Sequence, residues 1–385
     1  MTTRRRTAKI LLSLLIVLSS ASFAQPAPAA GPGDSWAQDG FGPGNTGYNP
    51  DTAALAVPDL RQRWSVTPGT GVEGCGTTPG PPLVAAGRVL FADNGGIGAY
   101  SAATGRHLWH NTGFSLLGPT QAIAAGLVVG TDSSCYSQSN FEGAVVALDG
   151  RTGQVRWRAV QTGTVDFLVA DRGVIVTHGY CGVCGDHEDE IVALLASNGR
   201  RLWHRPGALL AGAVSAGGRV LLKVGQRTIA VDVTTGATRW TAGKPWWARS
   251  SSPAGDRFYA TLGNDLAALD AATGRVAWRV RNGAGEMAAD GHRLYVAATG
   301  VTAYDADSGR RLWTRAVVDA GRPIRAAGLL WITTSGRPPA ILKPATGRPA
   351  AAGLPFSTAL GHVVVAAGRV FTTDGTTVRA YAAAR

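Results

Sequence analysis

Apolar and polar residues alternate along this chain in short runs, broken by Gly, Asn, Asp and Pro. No stretch sustains a helical period, so the pattern predicts short strands joined by turns. In the stretch ending at Trp278 it places a brief first strand at Ser252–Ala254 and a second at Arg257–Leu262. A third follows at Asp265–Asp270 and a fourth at Arg275–Val280. The same four-part unit returns through the chain.

A phrase marks each return: Ala-x-Asp-x-x-Thr-Gly-x-x-x-Trp. Full or nearly full copies run Ala147–Trp157, Ala230–Trp240, Ala268–Trp278 and Ala303–Trp313, the last with Ser308 for Thr. Ser101 and Leu195 replace the Asp in the copies ending at Trp109 and Trp203, and Lys343 and Ala351 replace the Asp and Trp around Thr346-Gly347. A period of about 35 to 48 residues is the signature of a propeller or solenoid, and four short strands with one aromatic per unit suit a propeller blade. Asp149, Asp232, Asp270 and Asp305 are therefore read as turn residues that bond their own backbone. Trp157, Trp240, Trp278 and Trp313 are read as packing against the next blade.

Outer-strand positions at Trp64, Trp109, Trp157, Trp203, Trp240, Trp278, Trp313 and Ala351 predict an all-β, eight-bladed propeller of four antiparallel strands per blade. Seven blades would follow if the worn seventh unit were not a full sheet. Trp64 has no strands before it, and the segments Val363–Ala366, Arg369–Thr372 and Val378–Ala382 have none after them. Pairing the two ends makes one composite blade and closes the ring, which removes exposed sheet edges.

Residues 1–24 read as a signal peptide: Arg4, Arg5, Arg6 and Lys9, then an apolar run Ile10–Leu18, then Ser22-Phe23-Ala24. The run is too short to span a bilayer, and the chain after it offers no transmembrane segment. Residues 25–34 form a flexible Pro/Ala/Gly lead-in, leaving residues 35–385 as one propeller domain in an extracytoplasmic or secreted setting. The formal charge is +12, and removing the leader's four cations leaves +8. The arginines are scattered through turns and outer strands, so no nucleic-acid partner is expected. Four cysteines, Cys75, Cys135, Cys181 and Cys184, in an exported chain point to disulfides, with several pairings open.

The repeat resembles that of the pyrroloquinoline-quinone (PQQ) repeat propellers, the quinoprotein alcohol dehydrogenase-like family, from about Trp36 to the end. The opening Ser35-Trp36-Ala37-Gln38 and Gly47-Tyr48-Asn49-Pro50 are similar to the start of that family, and the size matches its compact BamB-like members. The resemblance implies a propeller and leaves two roles open, a scaffold or a quinone enzyme with calcium. The chain lacks the adjacent cysteine pair and the long insertions common in the enzymes, and the lipid-attachment cysteine of the BamB lipoproteins.

No nucleophile elbow, zinc-protease motif or Walker loop appears. Gly69–Gly74 matches G-x-G-x-x-G but precedes no helix, so the dinucleotide reading fails its context. Asp186–Glu190 is an acidic run without calcium-ligand spacing, and Cys181–Cys184 with His187 lacks a full zinc set. No metal site and no catalytic residue are assigned. The candidate partner-binding group is Trp246 and Trp247, flanked by Lys244 and Arg249 in what reads as an inter-blade connection, with His178, Tyr180 and Phe141 on the same face. Plugging the gap between blades is the competing role for the tryptophans. Asp166, Glu286, Arg249 and Arg325 are expected to shape a polar funnel at the channel mouth. The preferred reading is a non-catalytic exported scaffold that binds a protein or cell-wall component. A PQQ-dependent dehydrogenase and a carbohydrate-binding propeller are the alternatives.

Overall fold

The computed structural model describes residues 35–50, 55–67, 81–93, 96–112, 121–133, 142–180, 189–351, 354, 356, 362–373 and 377–384. The leader, the lead-in, all four cysteines, Phe141 and residues 186–188 lie outside them. The described chain is β throughout, save one 3-10 turn at Val57–Asp59, and forms eight four-stranded antiparallel sheets. Blades 1 to 7 span 83–111, 121–162, 164–206, 209–242, 247–280, 286–315 and 320–351. The worn seventh unit is a full sheet, so the ring has eight blades.

Blade 8 is the composite. Its strands His362–Ala366, Arg369–Thr373 and Val378–Ala383 come from the C-terminus, and Leu60–Val66 completes it by pairing with Val378–Ala383. One strand departs from the sequence expectation. Blade 5 begins with Trp247–Ser251, and Ser252–Ala254 lies in the turn that follows. Small polar residues are buried in this inner strand, Ser250 and Ser251 among them, so Trp-Ala-Arg-Ser-Ser lacks the apolar alternation that a half-buried strand would show.

The repeat residues lock each blade to the next. The indole N–H of Trp64, Trp109, Trp157, Trp203, Trp240, Trp278 and Trp313 donates to a backbone carbonyl in the following blade's turn, at 2.9–3.3 Å. Each accepting residue sits directly after the Asp position, and each ring lies over the glycine of the Thr-Gly pair. The eighth junction has Ala351 where the Trp would be. There Phe356 packs against Tyr381 with ring centroids 4.5 Å apart and the rings tilted, and Leu354 belongs to the same core cluster.

The Asp residues hold the turns. Asp149 accepts from the amides of Arg151 and Thr152 at 2.9 and 2.8 Å and pairs with Arg156 at 2.6 Å. Asp232 repeats the arrangement with Arg239, and Asp270 and Asp305 repeat its turn bonds. The Arg156 guanidinium, then the turn amides, hold the Asp149 carboxyl well below the usual carboxylate range. At Asp232 burial works the other way, but bonds from Thr234 and Arg239 outweigh it and the net direction is again down. A depressed folded-state pKa means stability that is complete above the unfolded value of about 3.9, begins to fall there, and is lost as pH drops through the lower folded value. The urea midpoint is therefore expected to fall between about pH 5 and pH 3, and more gently for Asp149→Asn/Asp232→Asn. An identical slope for the variant would remove these turns as the cause.

Candidate functional site

The first strand of each blade lies innermost, around a central channel. The turns joining first to second and third to fourth strands open on one end of the ring, the turn face. The second-to-third loops and the inter-blade connections open on the other, the loop face.

Residues 36–49 cross the channel and touch the inner strands of all eight blades in ring order. Trp36 exchanges backbone bonds with Val84 in blade 1, and the Ala37 carbonyl accepts from Ile123 in blade 2. The Gln38 side chain bonds both backbone groups of Ala170 in blade 3, at 2.6 and 2.9 Å. Carbonyls of Pro43, Gly44 and Thr46 accept from Ser215, Ser251 and Ala289 in blades 4, 5 and 6. Arg325 in blade 7 is bonded by Gly47 and Asn49, and the Asn49 amide reaches the Val365 carbonyl of blade 8 at 2.8 Å. The glycines are what let a backbone lie this close. A Cβ on Gly47 would stand 3.0 Å from both Ala288 Cβ and the Pro323 oxygen. No hydrophobic period predicts such a plug, because its partners are the open backbone groups at the inner strands' ends.

Above the plug, on the loop-face side, is a funnel of about 320 Å³. Gln38, Asp39 and Asn45 form its floor. Phe167, Leu168, Trp247, Arg249, Glu286 and Gln121 are among its walls. Arg322 pairs with Asp39 at 2.7 Å and also reaches Asn45, while Asn45 donates to the Arg249 carbonyl at 2.7 Å. These contacts fix the floor. Gln121 is 4 % exposed, and neither its amide nitrogen nor its oxygen has a partner among the described residues. An unpaired buried amide costs free energy that a ligand group in the funnel would recover. A second cavity, of about 360 Å³, lies across the plug and is lined by Phe41, Pro43, Tyr48 and Arg172 among others.

The structure sorts the sequence candidates. Trp247 is half-buried and Arg249 exposed, both on the funnel wall. Trp246 is 3 % exposed and packs with Ala211, Leu221 and Trp240 between blades 4 and 5, so its ring presents no surface to a partner. His178 is buried behind Phe167, with ring centroids 6.2 Å apart, and its Nε2 meets Asp189 at 3.2 Å. Tyr180 and Lys244 are exposed but lie outside the funnel lining. Glu286 takes its expected place on the wall. Asp166 falls in the bulge of Thr164–Asp171, and only its backbone is described. Arg325 does not stand at the mouth. Its strand begins at Ala320, which carries Arg325 to the plug, where it lies over the Tyr48 ring at 5.9 Å and faces Asp290 at 3.4 Å. Gln38, Asn45, Gln121 and Phe167 were not singled out by sequence, and only the glycines at 40, 42, 44 and 47 hinted at tight packing there. Among the described residues no group of three or more His, Cys, Asp or Glu is placed to hold a metal.

The family profile described as outer membrane protein assembly factor BamB matches residues 47–242, 187–300, 224–325 and 297–385. No curated protein matches the sequence. Among solved structures the chain is similar to BamB from Moraxella catarrhalis, at 18% identity and a TM-score of 0.62, over 84% of this chain and 97% of that one. Quinohemoprotein alcohol dehydrogenase from Comamonas testosteroni gives 14% identity and 0.62, over 91% and 81%. The computationally designed Ika8 protein gives 12% and 0.61, over 81% and 98%. Identities this low establish the fold alone.

Proposed function

The chain belongs to the family of outer membrane protein assembly factor BamB, and on that premise we propose that it is an exported, non-catalytic scaffold. Its partner is a protein or cell-envelope component held at the loop face, with the funnel as the anchoring point. The observation that carries this reading is the mouth itself. A half-buried Trp247, an exposed Phe167 and the charges of Arg249 and Glu286 line one funnel with a buried amide that lacks a partner among the described residues. Aromatic and arginine anchors over a pocket are what binding hot spots are made of. The extracytoplasmic location rests on the family and on the leader-like residues 1–24.

The quinone alternative fits the lining poorly. A flat tricarboxylate calls for cations, yet Asp39 and Glu286 stand beside Arg249 in the funnel, and Arg322 is already committed to Asp39. The turn aspartates that might bind calcium are engaged by their own backbone. No turnover is expected when the purified protein is mixed with the quinone, calcium and an artificial electron acceptor. Turnover that Glu286→Gln abolishes would promote the enzyme.

The scaffold reading is tested by capture from envelope extracts of the exporting cell. Trp247→Ala/Arg249→Glu is expected to lose at least about tenfold of the captured partner while its melting temperature stays within about 2 °C. Equal capture by both proteins would remove the funnel mouth as the site.

A further inference from the structure

The departures from the repeat fall on one side of the ring. Ser101, Leu195 and Lys343 replace the turn Asp in blades 1, 3 and 7, and blade 8 has no third-to-fourth turn because the ring closes there. Blades 7, 8, 1, 2 and 3 are consecutive. In the turns of blades 1, 2, 3 and 7, Arg106, Arg151, Arg200, Arg201, Lys343 and Arg348 are exposed, and among the described residues none has an ion-pair partner. The acids of this arc are few among the described residues. Asp149 is committed to its turn and to Arg156, Asp171 accepts from Ser215, and Asp59 stands exposed beside Arg61. Across the ring the balance differs. Blades 4 to 6 keep Asp232, Asp270 and Asp305 and add Asp256 and Asp307, whose side chains are 62% and 85% exposed.

Losing the Asp also gives up a cap. At Ser101 the hydroxyl still accepts from the Thr104 amide at 3.3 Å, whereas Leu195 and Lys343 have no such group to offer. Two turns thus forgo the side-chain cap and all three forgo the negative charge, and cations stand in the same turns. The turns are short, so the charges lie on one flat face rather than in a groove. Val155, 51% exposed, is the one large apolar side chain the arc presents among the described residues.

We propose that this arc of the turn face is an electrostatic docking surface for a bilayer bearing anionic phospholipid headgroups. A planar array of headgroups engages charges spread along an arc together, which a single narrow chain does not. Attachment is peripheral, since the apolar area for insertion is missing. It leaves the loop face and its funnel pointing away from the membrane, and it does not depend on which partner the funnel holds.

The test is co-sedimentation of the intact protein with vesicles. Binding is expected with about 30% phosphatidylglycerol in phosphatidylcholine and not with phosphatidylcholine alone. It should vanish at about 0.5 M salt, where the Debye length falls below about 5 Å. Arg106→Glu/Arg200→Glu/Arg348→Glu should lower the partition coefficient at least about a hundredfold, each basic residue counting for about fivefold. Arg275→Glu/Arg310→Glu/Arg311→Glu makes the same change in net charge on the other arc and should cost far less. Melting curves of both variants confirm that each is folded. Equal losses from the two variants, absence of vesicle binding, or binding to soluble polyphosphate alone would each overturn the proposal.

Discussion

A chain lacking residues 35–49 is expected to melt at least about 6 °C below the intact protein. The plug supplies the partners of backbone groups on every inner strand, among them Ile123, Ala170, Ser215, Ser251, Ala289 and Arg325. Each such bond is worth about 1 kcal/mol net, and more when its loss leaves a group buried and unpaired. Trp36, 2% exposed, adds about 2 kcal/mol of apolar burial. Water entering the opened channel would satisfy part of what is lost, so the expected total is at least about 5 kcal/mol rather than the full sum. For a domain of about 350 residues each kcal/mol moves the melting temperature by about 1 to 2 °C. Gln38→Ala is a milder probe, since it strips both backbone groups of Ala170 and leaves the rest of the plug in place. A truncated chain that melts within about 2 °C of the intact one would show that the blades close without an axial clamp.

Gly274→Ala is expected to cost about 3 to 4 kcal/mol through a single methyl group. Gly274 has φ +72°, where an L side chain is strained by about 1 to 2 kcal/mol. The added Cβ would also stand 2.5 Å from Trp240 Cε3 and 2.7 Å from Cδ2. The indole cannot retreat, because its N–H is bonded to the Ala271 carbonyl at 3.0 Å and its ring packs with Phe258 and Leu269. Overpacking of this kind costs about 1 to 3 kcal/mol. Trp240→Ala alone should cost about 3 to 5 kcal/mol, from the cavity and the lost bond. In that background Gly274→Ala meets no ring and should keep only its backbone cost, so the pair is strongly non-additive. Additive losses in the urea-unfolding cycle would mean that the ring and the glycine do not form one lock.

Much of this lock was legible beforehand, because it repeats. Asp270, Gly274 and Trp278 occur at fixed spacing, and recurrence at a blade-length period marks them as packing devices. The closure of Leu60–Val66 onto Val378–Ala383 was legible for a related reason: an outer strand without a blade and a blade without an outer strand define each other. The inner strand Trp247–Ser251 was not, since it buries the polar Ser250 and Ser251 and so shows no apolar alternation. Trp246 and Trp247 illustrate the limit. Two adjacent tryptophans look alike in sequence, yet successive residues of an extended chain point to opposite sides. One ring is in the core between blades and its neighbour is on the funnel wall.

The sequence by itself determined the architecture, the blade count and the turn chemistry, because each is written locally and repeated. The tertiary structure alone decided the plug, the funnel and the division of charge around the turn face. Those depend on residues tens to hundreds of positions apart meeting across the axis or lying side by side in adjacent blades, as Gln38 meets Ala170 and Asn49 meets Val365. Such meetings follow from closing the ring, and closure leaves no local period in the chain.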